Sequence, residues 1–279
     1  MPDYGVMTVS KTSAASAPSK AATTIQLIGG PTVVLELGGL RLLTDPTFDP
    51  PGDHMIGTRN LIKTRNPAVA VEDLGDIDAV LLSHDQHPDN LDRAGRKLLD
   101  RMPLVLSTAA AAQRLGGNVR ELPLWRHHLL VRPDGRDLRI TGVSAQHGPR
   151  GTAHLTGEVR GFVISGDGLP TVYVSGDNAS MSVVRDVCDH AGPIDIAVLF
   201  AGRARSPLMD AYLTMSAEQA ARAAEILGSP VVVPVHVDGW EHLTQDVALV
   251  SEAFARRGLL DRLHVLMPGT VTAISVDRA

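Results

Sequence analysis

Short β-type runs separated by glycine-bearing turns constrain the fold of this 279-residue chain more than any other feature. From Ile25 the sequence reads as TIQLIGG and then PTVVLELGGLRLLTDP, in which Gly38 and Gly39 separate two apolar runs. A Gly-Gly pair predicts a tight hairpin, because such turns need the positive φ angles that glycine adopts freely. Later apolar runs, among them IDAVLLS, TVYVSGD, IDIAVLF and PVVVPVHV, predict further strands.

Helices are predicted between and after these strands. NLDRAGRKLLDRM carries apolar residues at helical spacing, and Ser216 opens the helix with the clearest start signal. Ser216 and Gln219 stand in capping-box order, in which each side chain pairs with a backbone N–H group that the helix leaves free. Because strands come first and helices enter later, in two halves of similar size, the sequence predicts a mixed α/β fold rather than a simple Rossmann repeat.

Composition and charge exclude several classes of protein. Acidic and basic residues are interspersed with a formal net charge of -5, and aromatic residues make up 3%, so neither nucleic acid nor an anionic membrane surface is expected as a partner. The single cysteine, Cys188, excludes an intrachain disulfide framework and a cysteine-rich zinc module. Phosphate-binding glycine loops and a serine-hydrolase elbow are absent from the sequence.

Two segments are predicted along the chain, a flexible tail over residues 1–23 and one domain over residues 24–279. The tail is rich in Ser, Ala and Thr and lacks the apolar stretch of a secretory signal. No later apolar run reaches the roughly 20 residues that cross a bilayer. We therefore expect a soluble, cytoplasmic protein that acts on a small molecule, and a homo-oligomer is compatible with the sequence.

Polar residues that follow apolar strands form the pattern with the most chemical content. His84 follows DAVLLS, His147 follows TGVSAQ, and His236 lies within VVVPVHVDG. Asp177 follows TVYVSG in the same way. Each residue alone could be a satisfied histidine or a turn former, but strand ends are where α/β proteins build sites. Together they predict a metal centre with nitrogen and oxygen ligands, formed by His84, His87, Asp89, His147, Asp177 and His236.

Other polar residues are assigned smaller roles. Asp45 precedes a proline after another strand, which favours a structural place beside the site. The Pro- and Gly-rich segment over residues 45–67 predicts a long loop. Its cations are expected to form a solvated face: Arg59, Lys63 and Arg65. Three histidines in loop-like sequence could line a pocket: His54, His154 and His242.

The ordered blocks LLTDP, LLSHDQHPDNLD, SAQHG, TVYVSGDN and VPVHVDGW resemble the metallo-β-lactamase fold superfamily. Within it they are similar to the branch of ascorbate-6-phosphate lactonase-like and N-acyl-phosphatidylethanolamine phospholipase D-like hydrolases. The resemblance implies a four-layer αβ/βα sandwich, with two β-sheets back to back and flanked by helices. It also implies one or two divalent metal ions at one edge of the sheets, with zinc favoured and manganese or iron as alternatives. By position, His84 and His147 would bind the first metal, Asp177 would bridge, and His236 would bind the second.

The first ligand motif departs from the family pattern H-x-H-x-D-H. Gln86 occupies the second histidine's position, and His87 follows it. An alignment with one inserted residue keeps His87 and Asp89 in register but puts Asn90 in place of the final histidine. Without the insertion, Gln86 would replace a ligand and Pro88 the aspartate. Since an asparagine offers zinc no imidazole, the sequence predicts one tight metal and a second that is weak or absent.

These residues together predict a metal-dependent hydrolase of an ester, lactone or phosphodiester bond. A metal-bound hydroxide would attack the bond, with Asp177 orienting it and Asp89 as the other catalytic carboxylate. Gln86 and Asn90 favour an alternative, in which the fold has lost its metal centre and serves as a ligand- or partner-binding module.

Overall fold

The protein is described by a computed structural model over residues 23–206 and 209–276, so the predicted tail lies outside the described residues except for Thr23. The strands are β1 Thr24–Gly29, β2 Thr32–Leu37, β3 Leu40–Thr44, β4 Gly52–Ile56, β5 Arg59–Lys63, β6 Ala79–Leu81, β7 Val105–Ser107, β8 Val119–Glu121, β9 His127–Val131, β10 Asp137–Ala145, β11 Val159–Gly166, β12 Val172–Val174, β13 Ile196–Phe200, β14 Arg205–Ser206, β15 Ala211–Tyr212, β16 Val231–Val235 and β17 Val271–Ala273. The α-helices are α1 Arg93–Leu99, α2 Ala109–Leu115, α3 Ala153–Thr156, α4 Met181–Ala191, α5 Ala217–Ile226 and α6 Val247–Arg256. Single 3-10 turns lie at Val71–Asp73 and Leu260–Arg262.

Two large sheets carry most of these strands. The first has the order β17-β1-β2-β3-β6-β7-β8, and the second has the order β16-β13-β12-β11-β10-β9. In each sheet an antiparallel set joins a parallel set, at β3 to β6 in the first sheet and at β12 to β13 in the second. The predicted hairpin is present, with Leu37 paired to Leu40 across the two glycines.

Three apolar clusters hold the layers together. One cluster lies between the sheets and joins residues such as Leu42 of the first sheet to Phe162 and Val198 of the second. Another packs α4, α5 and α6 onto the outer face of the second sheet, and the third packs α1 onto the first sheet. Helix, sheet, sheet and helix therefore follow one another, which confirms the predicted αβ/βα sandwich.

The segment over residues 45–67 corrects one prediction. It is not a continuous loop, because β4 and β5 pair within it as an antiparallel hairpin, from Gly52 opposite Lys63 to Ile56 opposite Arg59. The proline-rich start of this segment concealed the hairpin, since its strands lack the clear apolar alternation by which strands are recognised. The end of the hairpin contacts the segment after β16, because the Thr64 N–H donates to the carbonyl oxygen of Gly239.

The capping box of α5 is formed as predicted. Ser216 Oγ accepts from the Gln219 N–H at 3.2 Å, and the Ser216 N–H donates to Gln219 Oε1 at 2.9 Å. We expect Ser216→Ala to lower the free energy of unfolding by about 1 kcal/mol, because one helix N–H loses its partner. Urea denaturation measures this, with Ser251→Ala inside α6 as the control. An unfolding midpoint equal to that of the control would contradict the expectation.

Among the described residues, no helix combines the length and the apolar character that crossing a membrane requires.

Candidate metal centre

Three buried histidines form the first ligand group. His84 and His87 lie in the turn after β6, and His147 follows β10. His87 Nδ1 lies 2.9 Å from His84 Nε2 and 3.1 Å from His147 Nε2. Nitrogens bound tetrahedrally to one zinc ion at about 2.0–2.1 Å lie about 3.3 Å apart, so this group has nearly the spacing that one ion needs. One ligand atom from each residue lies within 4.8 Å of the others.

An early helical turn brings His84 and His87 together. The N–H groups of Asn90 and Leu91 both donate to the His87 carbonyl oxygen, at 3.1 and 2.9 Å. Residues three apart share a side in a helical turn but not in an extended strand. The chain therefore starts to turn before α1, and His87 rather than Gln86 stands beside His84. The side chain of Gln86 instead packs against Gly157. A Cβ atom at position 157 would overlap the Gln86 amide, so the two residues are in close contact.

Hydrogen bonds determine which ring nitrogen of His84 and of His147 carries the proton and which keeps a lone pair. Ser83 Oγ donates its single proton to Asp45 Oδ2 at 2.7 Å, so it can only accept from His84 Nδ1, at 3.0 Å. His147 Nδ1 lies 3.1 Å from the Leu213 carbonyl oxygen, which can only accept. Both rings therefore carry their proton on Nδ1 and turn the Nε2 lone pair toward His87, as a metal ligand requires.

Burial keeps these imidazoles neutral. It is the main cause that holds the pKa of His84 well below its ordinary value, and it lowers the pKa of His87 as well. Burial, reinforced by the neighbouring His87, lowers the pKa of His147 to about 3. Neutral imidazoles are the form in which histidine binds metals, so the first group needs no proton removed at neutral pH.

Asp45 supports this arrangement from behind. Its Oδ1 accepts the Ser83 N–H at 2.6 Å, and its backbone is in the left-handed region, with φ of 29°. Burial raises the pKa of Asp45 to about 7, although the hydrogen bonds from Ser83 act in the opposite direction. The sequence predicted a structural role beside the site for this residue, and its contacts are of that kind.

A second group of possible ligands lies next to the first and is formed by Asp89, His236 and His242. Asp89 Oδ2 lies 3.0 Å from His242 Nε2 and 3.3 Å from His236 Nε2. Burial raises the pKa of Asp89, but the two histidines outweigh burial and hold it well below its ordinary value. His236 has a φ of 54°, a strained backbone that turns the chain directly after β16.

Asp177 lies between the two groups. Its Oδ2 is 3.5 Å from His147 Nδ1 and 3.9 Å from His84 Nε2, and its Oδ1 is 3.8 Å from His236 Nε2. Burial, together with the charges of Asp89 and Asp45, raises the pKa of Asp177 well above its ordinary value. A divalent ion beside these carboxylates would favour their ionised form.

Several buried polar atoms here have no hydrogen-bond partner among the described residues: Asp89 Oδ1, Asn90 Oδ1, Asp177 Oδ2, His236 Nδ1, His236 Nε2 and His242 Nδ1. Buried polar atoms are normally paired, so a cluster of unpaired ones calls for a further partner. Nitrogen and carboxylate oxygen atoms are ligands for zinc and similar divalent ions. The donor set therefore fits the metal centre that the sequence predicted.

The structure brings all six predicted ligands into this one cluster. His84, His87 and His147 lie in the first group, Asp89 and His236 in the second, and Asp177 between them. His242 was not among the predicted ligands, because its sequence context indicated only a residue that could line a pocket. In the structure it belongs to the second group of possible ligands. The one signal for it is its place six residues after His236 in VHVDGWEH.

The prediction for Lys63 was wrong. Its side chain is 5% exposed, and its Nζ lies 3.0 Å from Asp92 Oδ2. Asp92 also caps α1, because its Oδ1 accepts the Gly95 N–H at 2.8 Å. The Asp92 carboxylate is buried too, and it compensates the charge of the buried lysine, which would otherwise need water. Lys63 therefore ties the β4–β5 hairpin to the end of the first ligand motif.

The chain is similar to known proteins over most of its length. A family model described as a beta-lactamase superfamily domain matches residues 40–237. A curated protein from Pyrococcus abyssi, described as a UPF0173 metal-dependent hydrolase, is 28% identical over 210 residues, which cover 74% of this chain and 86% of that protein. A UPF0173 metal-dependent hydrolase from Rubrobacter xylanophilus is 27% identical over 252 residues, covering 84% of this chain and 96% of the relative.

Solved structures share the fold over nearly the whole chain. The crystal structure of an isothiocyanate hydrolase from Delia radicum gut bacteria matches with a TM-score of 0.76 and 25% identity, covering 91% of this chain and 100% of the other. A possible metal-dependent hydrolase from Veillonella parvula matches with a TM-score of 0.75 at 17% identity, covering 91% of this chain and 100% of that one. The second likeness concerns the fold alone.

Proposed function

This chain belongs to the metallo-β-lactamase superfamily, and we propose that it is a metal-dependent hydrolase that cleaves an ester, lactone or phosphodiester bond of a small molecule. One observation supports this most, namely that three neutral histidines converge on one point with Asp177 beside them. The assembled ligands weigh against the alternative of a fold that has lost its metal centre. The likeness of the motif blocks to lactonase-like and phospholipase D-like hydrolases supports the choice of bonds.

His84, His87 and His147 would hold a divalent ion, and zinc suits three imidazole ligands well. Such an ion lowers the pKa of a bound water from 15.7 to about 7 and polarises the bond that is attacked. Asp177 orients the attacking water and accepts its proton, because its unpaired Oδ2 faces the histidines. Asp89 is the second carboxylate of the site, and His242 and His236 hold it in the ionised form.

Space for a small molecule lies beside the ligand loop. A cavity of about 390 Å³ is lined by Gln86 and Pro88 of that loop, by Arg93 and Arg96, and by residues 53–56 of β4. Volumes of this order suit small-molecule ligands. We propose that part of the substrate binds there.

A substrate panel tests the proposed function. Purified protein is stripped of metal with a chelator and reloaded with zinc, manganese or iron. It is then assayed on lactones, carboxylic esters, phosphodiesters and isothiocyanates. Isothiocyanates are included because a protein of similar structure is an isothiocyanate hydrolase. We expect turnover of at least one class that disappears on chelation and returns with metal. His147→Ala serves as the inactive control, and His127→Ala, at an exposed position, as the active one. No turnover with any metal on any class would favour the ligand-binding alternative.

A further inference from the structure

We infer that His242 takes the metal-binding place that Asn90 leaves, so that a second divalent ion binds to Asp89, His236 and His242. This inference rests on the proposed function, because the second ion belongs to the same site. It reverses the sequence-based expectation of a weak or absent second metal. In the family pattern H-x-H-x-D-H, the final histidine would bind the second metal. Here His242, from a different part of the chain, would bind it instead.

Asn90 offers the second group no ring nitrogen, and its amide nitrogen is already engaged. Its Nδ2 donates to Asp45 Oδ2 at 3.0 Å and lies 3.5 Å from Asp177 Oδ1. An amide N–H₂ group is a donor and offers no lone pair to a cation. Asn90 Oδ1 is buried without a hydrogen-bond partner among the described residues, but a neutral carbonyl oxygen suits magnesium, calcium or manganese better than zinc, which favours imidazole. The Asn90 amide thus contacts Asp177 Oδ1, the carboxylate oxygen that lies 3.8 Å from His236 Nε2.

The ring of His242 supplies the nitrogen that Asn90 lacks. His242 Nε2 lies 3.0 Å from Asp89 Oδ2, and His236 Nε2 lies 3.3 Å from the same oxygen. His236 is fully buried, and neither of its ring nitrogens has a hydrogen-bond partner among the described residues. Two imidazoles and a carboxylate are a ligand set that zinc takes in proteins. One ion would satisfy all three side chains at once.

Backbone contacts fix the segment that carries His242. The Glu241 N–H donates to the Ile62 carbonyl oxygen, and the Arg205 N–H donates to the His242 carbonyl oxygen, both at 3.0 Å. Lys63 forms a β-bridge to Trp240, two residues before His242. The backbone of His242 is thus held between the β4–β5 hairpin and β14, which limits where its ring can lie.

A chain of contacts also joins this segment to the first ligand motif. Lys63 Nζ lies 5.6 Å from the centre of the Trp240 ring and 3.0 Å from Asp92 Oδ2. Asp92 comes two residues after Asn90. Lys63 of the hairpin therefore contacts both the end of the first ligand motif and the segment that carries His242.

Metal stoichiometry tests the inference without relying on activity. Wild-type protein and variants are loaded with zinc, passed through a desalting column, and analysed by inductively coupled plasma mass spectrometry. We expect about two zinc ions per wild-type chain, about one in His242→Ala, and about two in His127→Ala, whose side chain is exposed outside the site. Circular dichroism checks folding, and His242→Phe, which keeps a ring of similar size without nitrogen, replaces the alanine variant if that variant unfolds.

The outcomes separate the two claims. Two ions in both wild type and His242→Ala, or one ion in both, would overturn the role of His242 and leave the proposed hydrolase intact. A wild-type chain that binds no zinc, manganese or iron would overturn both. Loss of one ion in His242→Ala but not in His127→Ala supports the inference whatever substrate the enzyme takes.

Discussion

Asp177→Asn is expected to lower the rate of hydrolysis by the metal-loaded enzyme by more than about 100-fold. Residues that only support a metal ligand already cost 10–100-fold when changed, and Asp177 lies between both ligand groups. Asparagine keeps the size of the side chain but removes the carboxylate charge and the proton acceptor. The initial rate on the best substrate of the panel measures the effect.

A matched control separates this effect from a general loss of charge. Asp167→Asn changes a carboxylate that lies in the turn between β11 and β12, is 87% exposed and pairs with Arg136. We expect this variant to keep the wild-type rate, since surface ion pairs contribute little. If Asp177→Asn retained a rate within a few-fold of wild type while folded and metal-loaded, Asp177 would not be the proton acceptor.

Gly202→Ala is expected to lower the free energy of unfolding by about 3 kcal/mol. An added Cβ at this position would overlap the backbone carbonyl oxygen of His236 and would lie 2.9 Å from the Leu243 side chain. His236 is already in a strained conformation and cannot move without shifting a ligand. Backbone atoms move less easily than a side chain, so the added methyl group should displace His236 itself. The variant should therefore also bind zinc more weakly.

Gly116→Ala is the control for the glycine substitution. Gly116 ends α2 with a φ of 64°, and an added Cβ would meet no atom within 4 Å. This change costs only the strain of the left-handed backbone, roughly 1–2 kcal/mol. Urea denaturation compares the two variants. A Gly202→Ala protein as stable as Gly116→Ala would show that the His236 turn can move freely, contrary to the packing described above.

Local rules predicted the parts of the molecule that depend on near neighbours. The Gly38–Gly39 hairpin and the Ser216 capping box are both present, because each follows from a few adjacent residues. The strand-end rule placed His147 and Asp177 in one cluster, since the sheets bring the ends of separate strands to one edge. The four-layer fold, in contrast, was implied by the resemblance of the motif blocks to the metallo-β-lactamase superfamily.

The rest depends on contacts between distant residues, which a single sequence does not display. His242 meets Asp89 across 153 positions, and Asn90 meets Asp177 across 87. Lys63 was predicted to lie on a solvated face because its partner, Asp92, is 29 residues away in the sequence. The expectation of a weak second metal rested on Asn90 alone, because the sequence does not show that His242 lies beside Asp89.

Anomalous X-ray scattering from crystals of zinc-loaded protein, collected at the zinc absorption edge, tests the central claim most directly. The account predicts one peak among His84, His87 and His147, and a second among Asp89, His236 and His242. Zinc bound only outside these two groups, or no peak in either group from protein that contains zinc in solution, would contradict it.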